Sequence, residues 1–466
     1  MKYDYLVIGS GPAGHTSAIK AAQCGLKTAI IDLDENMVGG VCLNEGCIPA
    51  KSLYNSAKIY DIVRRNQELY SKNAERAKAD ISLFVEKSRQ AAETLRKGIN
   101  FLFKKNNIDL YIGIARFVDK NTVKVSKKGS ESIQLSAKNI LIATGSVPNS
   151  FPGKSFDGKR LMSSFGAIRC KKIPEKLLVI GGGAIGTEFA SFFSIIGSTV
   201  TVVETEKRIL PLEDKDISRE MEKIFKKKNI IIYTAARVNT ITTENDTVKI
   251  SMRTKKGMIE ENFDAVLVSI GRKPNVSTIK PENAGIKIDE KGYIPVDKEM
   301  RTNVDNIFAA GDIIKTPMLA HVAASEGEIA AEAVAGRQTE PIDYTCVPNV
   351  VYTEVQIASA GMTEEDALSQ SNNISVGKQF FRANGKAVVD QKTDGFIKVI
   401  ADKDTRKILG IHIIGYEAGE LVHEFVVAKK AGLTVEDIEH TVHAHPTFSE
   451  ISVDACKSVF GKPIHG

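Results

Sequence analysis

This sequence predicts an α/β protein with two Rossmann-like units followed by a C-terminal α+β domain, and three observations carry the prediction. An apolar strand at the start of the chain ends in a glycine-rich turn that opens a helix. The same arrangement returns 172 residues later. Beyond Pro348 the pattern gives way to short β-rich segments and two helices.

The first unit begins with Tyr3-Asp-Tyr-Leu-Val-Ile-Gly9, nearly continuous in apolar residues as a strand buried on both faces of a parallel sheet must be. Gly9-Ser-Gly11-Pro-Ala-Gly14 then opens a helix running to about Cys24, and Pro12 suits a first turn whose N–H groups lack helical partners. A second strand, Thr28-Ala-Ile-Ile-Asp32, ends in an acid. Together these form a βαβ dinucleotide fingerprint: Gly9 permits the tight turn, Gly11 lets backbone approach a pyrophosphate, and Gly14 lets helix and strand pack. The pyrophosphate belongs at the positive end of the helix, and Asp32 accepts from a ribose hydroxyl.

In the repeat, Leu177-Leu-Val-Ile-Gly181-Gly-Gly183-Ala-Ile-Gly186 leads through Gly197 to Thr199-Val-Thr-Val-Val-Glu204. Gly9, Gly11, Gly14, Gly25 and Asp32 map onto Gly181, Gly183, Gly186, Gly197 and Glu204 at one constant offset. Two dinucleotide sites in one chain imply electron transfer from one to the other. Glu204 suits the free 2′-hydroxyl of NAD and repels the 2′-phosphate of NADP, a repulsion that nearby Lys207 and Arg208 do not remove.

From about Ser52 to Asn106 the chain is charged and helical in pattern, which reads as a scaffold arm. Strand-like pieces then end at Lys138-Asn-Ile-Leu-Ile-Ala-Thr144-Gly145, and a matching end, Phe263 to Gly271-Arg-Lys-Pro-Asn275, closes the second unit. Each finishes in Gly with Pro soon after, as crossings between domains do. The expected domains are therefore 1–149 with 276–345, then 150–275, then 346–466. A further strand, Asn306 to Gly311-Asp312, brings Asp312 to a sheet's carboxyl edge, as acceptor for a cofactor hydroxyl or as a helix cap.

Composition narrows the function classes. The balance of 63 basic and 57 acidic residues leaves +6, scattered along the chain, which argues against nucleic acid as a partner. The N-terminus falls directly into a strand, and no run reaches the roughly 18 apolar residues of a membrane helix. We expect a soluble, cytoplasmic protein, or a mitochondrial matrix protein whose presequence has been removed. Six cysteines in 466 residues are too few for a disulfide-stapled secreted scaffold.

Two of those cysteines stand together in Gly39-Gly-Val-Cys42-Leu-Asn-Glu-Gly-Cys47-Ile-Pro-Ala-Lys51. Residues five apart in a regular helix are separated by about 7.5 Å of rise, beyond the roughly 4.4–6.8 Å a disulfide spans. A Cys42–Cys47 bridge therefore needs a distorted turn, which Gly46 and the Gly39-Gly40 pair make accessible. Strain of that kind favours a catalytic bridge over a structural one. A metal site is the rival reading, but it lacks a second cysteine pair, so no metal is expected.

Near the C-terminus, His443-Ala-His445-Pro-Thr-Phe-Ser-Glu450 sets a carboxylate within reach of an imidazole, making His445 a candidate general base oriented by Glu450. His440, His443 and His445 could also be imagined as zinc ligands, though a structural site would recruit cysteine.

Taken together, the cysteine stretch, both glycine loops, Ala143-Thr144-Gly145, Gly311-Asp312 and His445-Pro-Thr-Phe-Ser-Glu450 resemble the flavin-dependent pyridine nucleotide-disulfide oxidoreductases, over essentially the whole chain and in the family's order. The likeness is strongest to members that oxidise dihydrolipoamide. It implies FAD on the first loop, NAD on the second, and a C-terminal dimerisation domain that builds a homodimer. It also implies that each active site borrows His445 and Glu450 from the partner subunit. Cys42 would exchange with the substrate and Cys47 would touch the flavin; Lys51 would pair with Glu188 near it, and Ala320 would offer it backbone. Lipoyl domains of a 2-oxo acid dehydrogenase complex or of the glycine cleavage system would be the partners. Glutathione-type members use NADPH, with an aromatic gate at the position of Ala184 and basic residues in place of Glu204; this chain has neither. A flavin-binding structural component of a multienzyme complex is the alternative from another class, and it would need neither the cysteine pair nor the histidine–glutamate pair. Two positions depart from the family's usual pattern: Ala50, where Ser or Thr is common, and Glu45, which adds a charge between the cysteines.

Overall fold

The computed structural model describes residues 2–66, 78–127, 129–244, 246–371 and 373–465. Two strands, β1 (Lys2–Ile8) and β2 (Thr28–Asp32), flank a helix, α1 (Pro12–Gln23), and pair in parallel. Asp109–Ile112 adds to β2, Ile133–Ile142 to the other side of β1, and Ile307–Ala309 to Ile133–Ile142, all parallel. The late strand Ile307–Ala309 thus completes the sheet that the N-terminus begins.

A second parallel sheet runs Ile231–Tyr233, Thr199–Val203, Lys176–Ile180, Ala265–Val268, Leu161–Met162. The repeat seen in sequence is reproduced at the level of register: Tyr5 pairs with Thr28 in the first sheet, Leu177 with Val200 in the second, again 172 residues apart. Gly14 and Gly186 have equivalent packing too. A Cβ on Gly14 would stand 1.8 Å from the Gly9 carbonyl oxygen, and one on Gly186 1.9 Å from that of Gly181. Only glycine allows helix and loop this close.

The two segments expected to cross between domains pair with each other, Ser146–Pro148 running antiparallel to Arg272–Pro274. Thr144 Oγ1 donates to the Asn275 carbonyl at 2.8 Å, and Asn275 N–H to that of Gly145 at 2.9 Å. Beyond them, a five-stranded antiparallel sheet spans Asn349 to Gly415, with Ala418–Lys430 and Glu450–Val459 among its helices.

Lys398, in the middle of this last sheet and fully buried, reaches into the second unit. Its Nζ donates to Asp214 at 2.7 and 2.9 Å, to Asp216 at 3.0 Å and to Glu364 at 2.8 Å. Three carboxylates around one ammonium satisfy a charge that burial alone would expel.

The expected scaffold arm comprises α3 (Cys47–Arg65) and α4 (Ile81–Lys105), packed together; its middle, residues 67–77, lies outside the described residues. Among the described residues no helix is long and apolar enough to cross a membrane.

Candidate active site

A cavity of about 610 Å³ opens where the first unit, the cysteine stretch and the second unit meet. Among its walls are Gly9, Gly11, Asp32, Thr144, Gly145, Asp312 and Ala320, together with Cys42, Cys47, Lys51 and Glu188. Eleven sequence-derived candidates, scattered from residue 9 to residue 320, therefore share one pocket. Two helix N-termini face it, at α1 and at Ala320–Val334, and neither carries a side-chain cap. Their first N–H groups are left for a ligand, and an anion is the ligand such ends prefer.

The first loop is braced by the acid at the end of β2. Asp32 Oδ2 accepts from Ser10 N–H at 2.8 Å and from Ser10 Oγ, while Oδ1 accepts from Leu33 N–H at 2.6 Å. Burial pushes the Asp32 carboxyl up, against the pull of those donors. Glu204 repeats the construction: Oε2 accepts from Gly182 N–H at 2.7 Å and Oε1 from Glu206 N–H at 2.8 Å. Ser10 and Gly182, like Asp32 and Glu204, are 172 residues apart. Gly181, Gly183, Glu204 and Gly271 lie outside the cavity lining, as do Gly14 and Gly186. The helix Ala184–Ile195 that follows the second loop nevertheless presents Ala184, Ile185, Glu188 and Phe189 to the cavity.

The cysteines sit on either side of a broken helix. Gly39 (φ +92°) and Gly40 (φ +74°) lead into α2 (Gly40–Glu45); Gly46, at φ −142° and ψ −115°, ends it, and α3 starts anew at Cys47. That break brings the two sulfurs into contact as free thiols. A Cβ on Gly40 would stand 2.4 Å from the Gly11 Cα, so the cysteine stretch packs directly on the first loop.

Electrostatics make the two thiols unequal. The hydrogen bond from Cys42, and with it the Lys51 charge, lowers Cys47 to about 7 against burial. The same bond together with burial pushes Cys42 far up. Lys51 Nζ donates to both Glu188 oxygens, at 2.9 and 3.0 Å, and lies 4.8 Å from the Tyr352 ring centre. Glu188 also accepts from Tyr352 N–H at 2.9 Å. The arrangement favours a thiolate on Cys47 and a thiol on Cys42.

Glu45, which on sequence alone adds a negative charge to this turn, is buried and paired with both Arg89 and Arg169. Asp312 caps no helix: it accepts from Ser146 Oγ and lies 3.9 Å from Arg272 Nε. Sequence reasoning missed Arg272, whose guanidinium lines the cavity and donates to Ser146 Oγ and to the Ser146 carbonyl, each at 2.8 Å. It also missed Glu326, fully buried behind the pocket, which accepts from Gly311 N–H at 2.7 Å and from Tyr344 Oη at 3.0 Å. Glu326 is one of three glutamates in the Ala-rich helix Ala320–Val334, with Glu328 and Glu332, and nothing in the sequence sets it apart.

His445 is not brought to this cavity. Its Nδ1 lies 2.9 Å from Glu450 Oε1, its side chain is 76 % exposed, and its bond to Pro446 is cis. Against burial, the Thr447 N–H and His445 hold the Glu450 carboxyl low. His443 pairs instead with Glu424, Nε2 to Oε1 at 2.8 Å.

Comparison with known proteins gives the family. Residues 3–327 match the profile of the pyridine nucleotide-disulphide oxidoreductases, and residues 347–456 that of the same group's dimerisation domain. A dihydrolipoyl dehydrogenase of Bacillus subtilis is 39 % identical over 478 residues, covering 100 % of this chain and 99 % of its own. One from Chlamydia muridarum is 40 % identical over 99 % of this chain and 98 % of its own. Among solved structures, the HOCl-induced flavoprotein disulfide reductase RclA of Escherichia coli superposes with a TM-score of 0.88 at 28 % identity, covering 98 % of this chain and all of its own.

Proposed function

The chain belongs to the pyridine nucleotide-disulphide oxidoreductase family, and from that premise we propose that it is a dihydrolipoyl dehydrogenase, oxidising dihydrolipoamide to lipoamide and reducing NAD. The observation that carries this reading is the unequal pair Cys42 and Cys47, set beside Lys51–Glu188 in a cavity shared by the first glycine loop and the second unit's helix. FAD suits the cavity, with its side-chain-free loop at Gly9 and Gly11, its two uncapped helix ends and Asp32 at the ribose position. NAD suits the second loop, Gly181, Gly183 and Gly186, with Glu204. When bound, FAD accepts an electron pair from the cysteines and NAD carries it away as hydride.

The chain's own residues do the sulfur chemistry. His445 of the partner subunit, held by the partner's Glu450, removes a proton from one thiol of dihydrolipoamide. That thiolate attacks Cys42 of the Cys42–Cys47 disulfide; the S–S bond breaks and Cys47 leaves as a thiolate. Lys51 stabilises the charge, and Glu188 holds Lys51 in place. The second lipoyl thiol then passes its proton to Cys42 as its sulfur closes on the first, breaking the mixed disulfide and releasing Cys42 as a thiol, while the proton taken by His445 goes to solvent. Two electrons and two protons have left the substrate, and the electrons rest on the cysteine pair.

An exposed His445 remote from its own chain's cavity fits a base supplied across a homodimer, and the match to a dimerisation domain supports that assembly. We assign 1–149 with 276–345 to FAD, 150–275 to NAD and 346–466 to the dimer contact, with lipoyl domains of a 2-oxo acid dehydrogenase complex or the glycine cleavage system as partners. Cys42→Ser tests the whole scheme: the variant retains FAD but loses nearly all lipoamide-dependent NADH formation. Substantial residual turnover would reject it.

A further inference from the structure

The Cys42–Cys47 turn carries a charge for which the reaction above has no use. Glu45 lies between the cysteines in sequence, lines the same cavity and is buried. Its Oε2 accepts from Arg169 Nε at 3.0 Å, and its Oε1 from Arg169 Nη2 and from Arg89 Nη1, the latter at 3.3 Å. Arg89 Nη1 also holds the carbonyl of Asn44 at 2.8 Å, binding the turn's backbone as well. Arg89 comes from α4 and Arg169 from the second unit, so three distant stretches converge on the dithiol. Arg89 Nη2 is buried without a hydrogen-bond partner among the described residues. Two guanidinium groups therefore share one carboxylate, and the cluster carries one net positive charge.

We propose that Glu45, Arg89 and Arg169 form a charge clamp that sets the reduction potential of the Cys42–Cys47 pair, Glu45 and Arg169 acting on it by their charge across the cysteine turn. The proposal rests on the reading of that pair as the redox couple. Reduction adds two electrons and, when Cys47 stays ionised, one proton, on Cys42. The reduced pair thus bears a negative charge that the disulfide lacks. A guanidinium nearby favours the reduced form and a carboxylate the oxidised one; clamped together they largely offset each other.

Removing opposite members must then move the potential in opposite directions. Glu45→Gln leaves both guanidinium groups unopposed and favours the dithiol. Arg169→Met uncovers the carboxylate and favours the disulfide. Contacts that merely held the turn in shape would shift both variants the same way.

The test equilibrates the FAD-loaded dimer with reduced and oxidised glutathione, without oxygen, at a pH above the Cys47 value of about 7. Alkylation and mass spectrometry of the peptide spanning Gly39 to Lys51 then count its free thiols. We expect Glu45→Gln to shift the dithiol–disulfide equilibrium about tenfold toward the dithiol, or roughly 30 mV for a two-electron couple. Arg169→Met shifts it about as far toward the disulfide, and the double variant returns close to wild type. Shifts of the same sign, or variants that coincide with a normally titrating wild type, would overturn the clamp alone. A wild type with no reversible two-thiol couple would overturn the dithiol reading as well, and the Cys42→Ser assay would fail with it. Arg169→Lys, which keeps the charge, stays close to wild type. If Glu45→Gln does not fold, equal potentials for Arg169→Lys and Arg169→Met would overturn the proposal on their own.

Discussion

Replacing Gly186 with Ala separates the two dinucleotide assignments. The new Cβ would stand 1.9 Å from the Gly181 carbonyl oxygen and 2.8 Å from Ser269 Oγ, whereas real Cβ contacts essentially never fall under 3.0 Å. Loop and helix must part by about 1.1 Å to admit it. A misplacement of about 1 Å lowers the rate by roughly 10²-fold, equivalent to about 2.7 kcal/mol in the barrier. We therefore expect kcat/KM for NAD to fall about 100-fold while the flavin stays bound. The equivalent change in the first loop, Gly14→Ala, puts its Cβ 1.8 Å from the Gly9 carbonyl oxygen and should instead weaken flavin retention. Gly183→Ala serves as control for the fold, because nothing lies within 4 Å of its Cβ and only a bound ligand would meet it. Flavin absorbance after gel filtration and steady-state NAD saturation curves are sufficient assays. An unchanged NAD curve for Gly186→Ala, or loss of flavin with normal NAD saturation, would refute the reasoning.

Other perturbations follow from the charge network. Lys51→Met removes the cation beside Cys47 and leaves Glu188 facing it, so the Cys47 thiol rises above its value of about 7; titrating thiolate absorbance in the reduced protein checks this, and an unmoved midpoint would refute it. Lys398→Met leaves Asp214 buried without a cation, while Asp216 keeps Lys378 and Glu364 keeps Lys215, and breaking a buried ion pair costs about 3–5 kcal/mol; guanidinium unfolding midpoints should show the loss, and a change within error would count against the account. Asp216, held low at about 2 against burial by Lys378 and Lys398, contributes stability that is complete above the ordinary aspartate range and is lost as pH falls toward 2. Asp216→Asn should flatten that acid limb of the stability profile.

What could be read from the chain alone was whatever has a short period or a fixed spacing. Gly9, Gly11, Gly14 and Asp32 announce a βαβ unit because turn, pyrophosphate approach and helix packing each demand glycine at a set interval. Recurrence at one offset then revealed the second unit, but that each terminal acid accepts from its loop's N–H is seen only in the folded chain. Charge pairing over long separations left no such trace. Glu45 looked like an uncompensated charge, because Arg169 lies 124 residues away and nothing local marks it as the partner. Lys398 and Asp214 are 184 residues apart, and Arg272 finds Ser146 across 126. His445 shows a different limit: its pairing with Glu450 is local and legible, but the place where it would act is not reached within one chain.

The helix Ala184–Ile195 belongs to two neighbourhoods at once. Its first turn continues from the second glycine loop, and Glu188, two residues past Gly186, holds the lysine beside the cysteines. The duplicated units are therefore not free to diverge independently. A substitution that shifts this helix at Gly186 also shifts Glu188, and one that moves Lys51 pulls on the helix through the same carboxylate. Mutations at the two sites should behave non-additively however far apart their ligands lie. A lineage altering its nucleotide preference would have to carry its dithiol along with it.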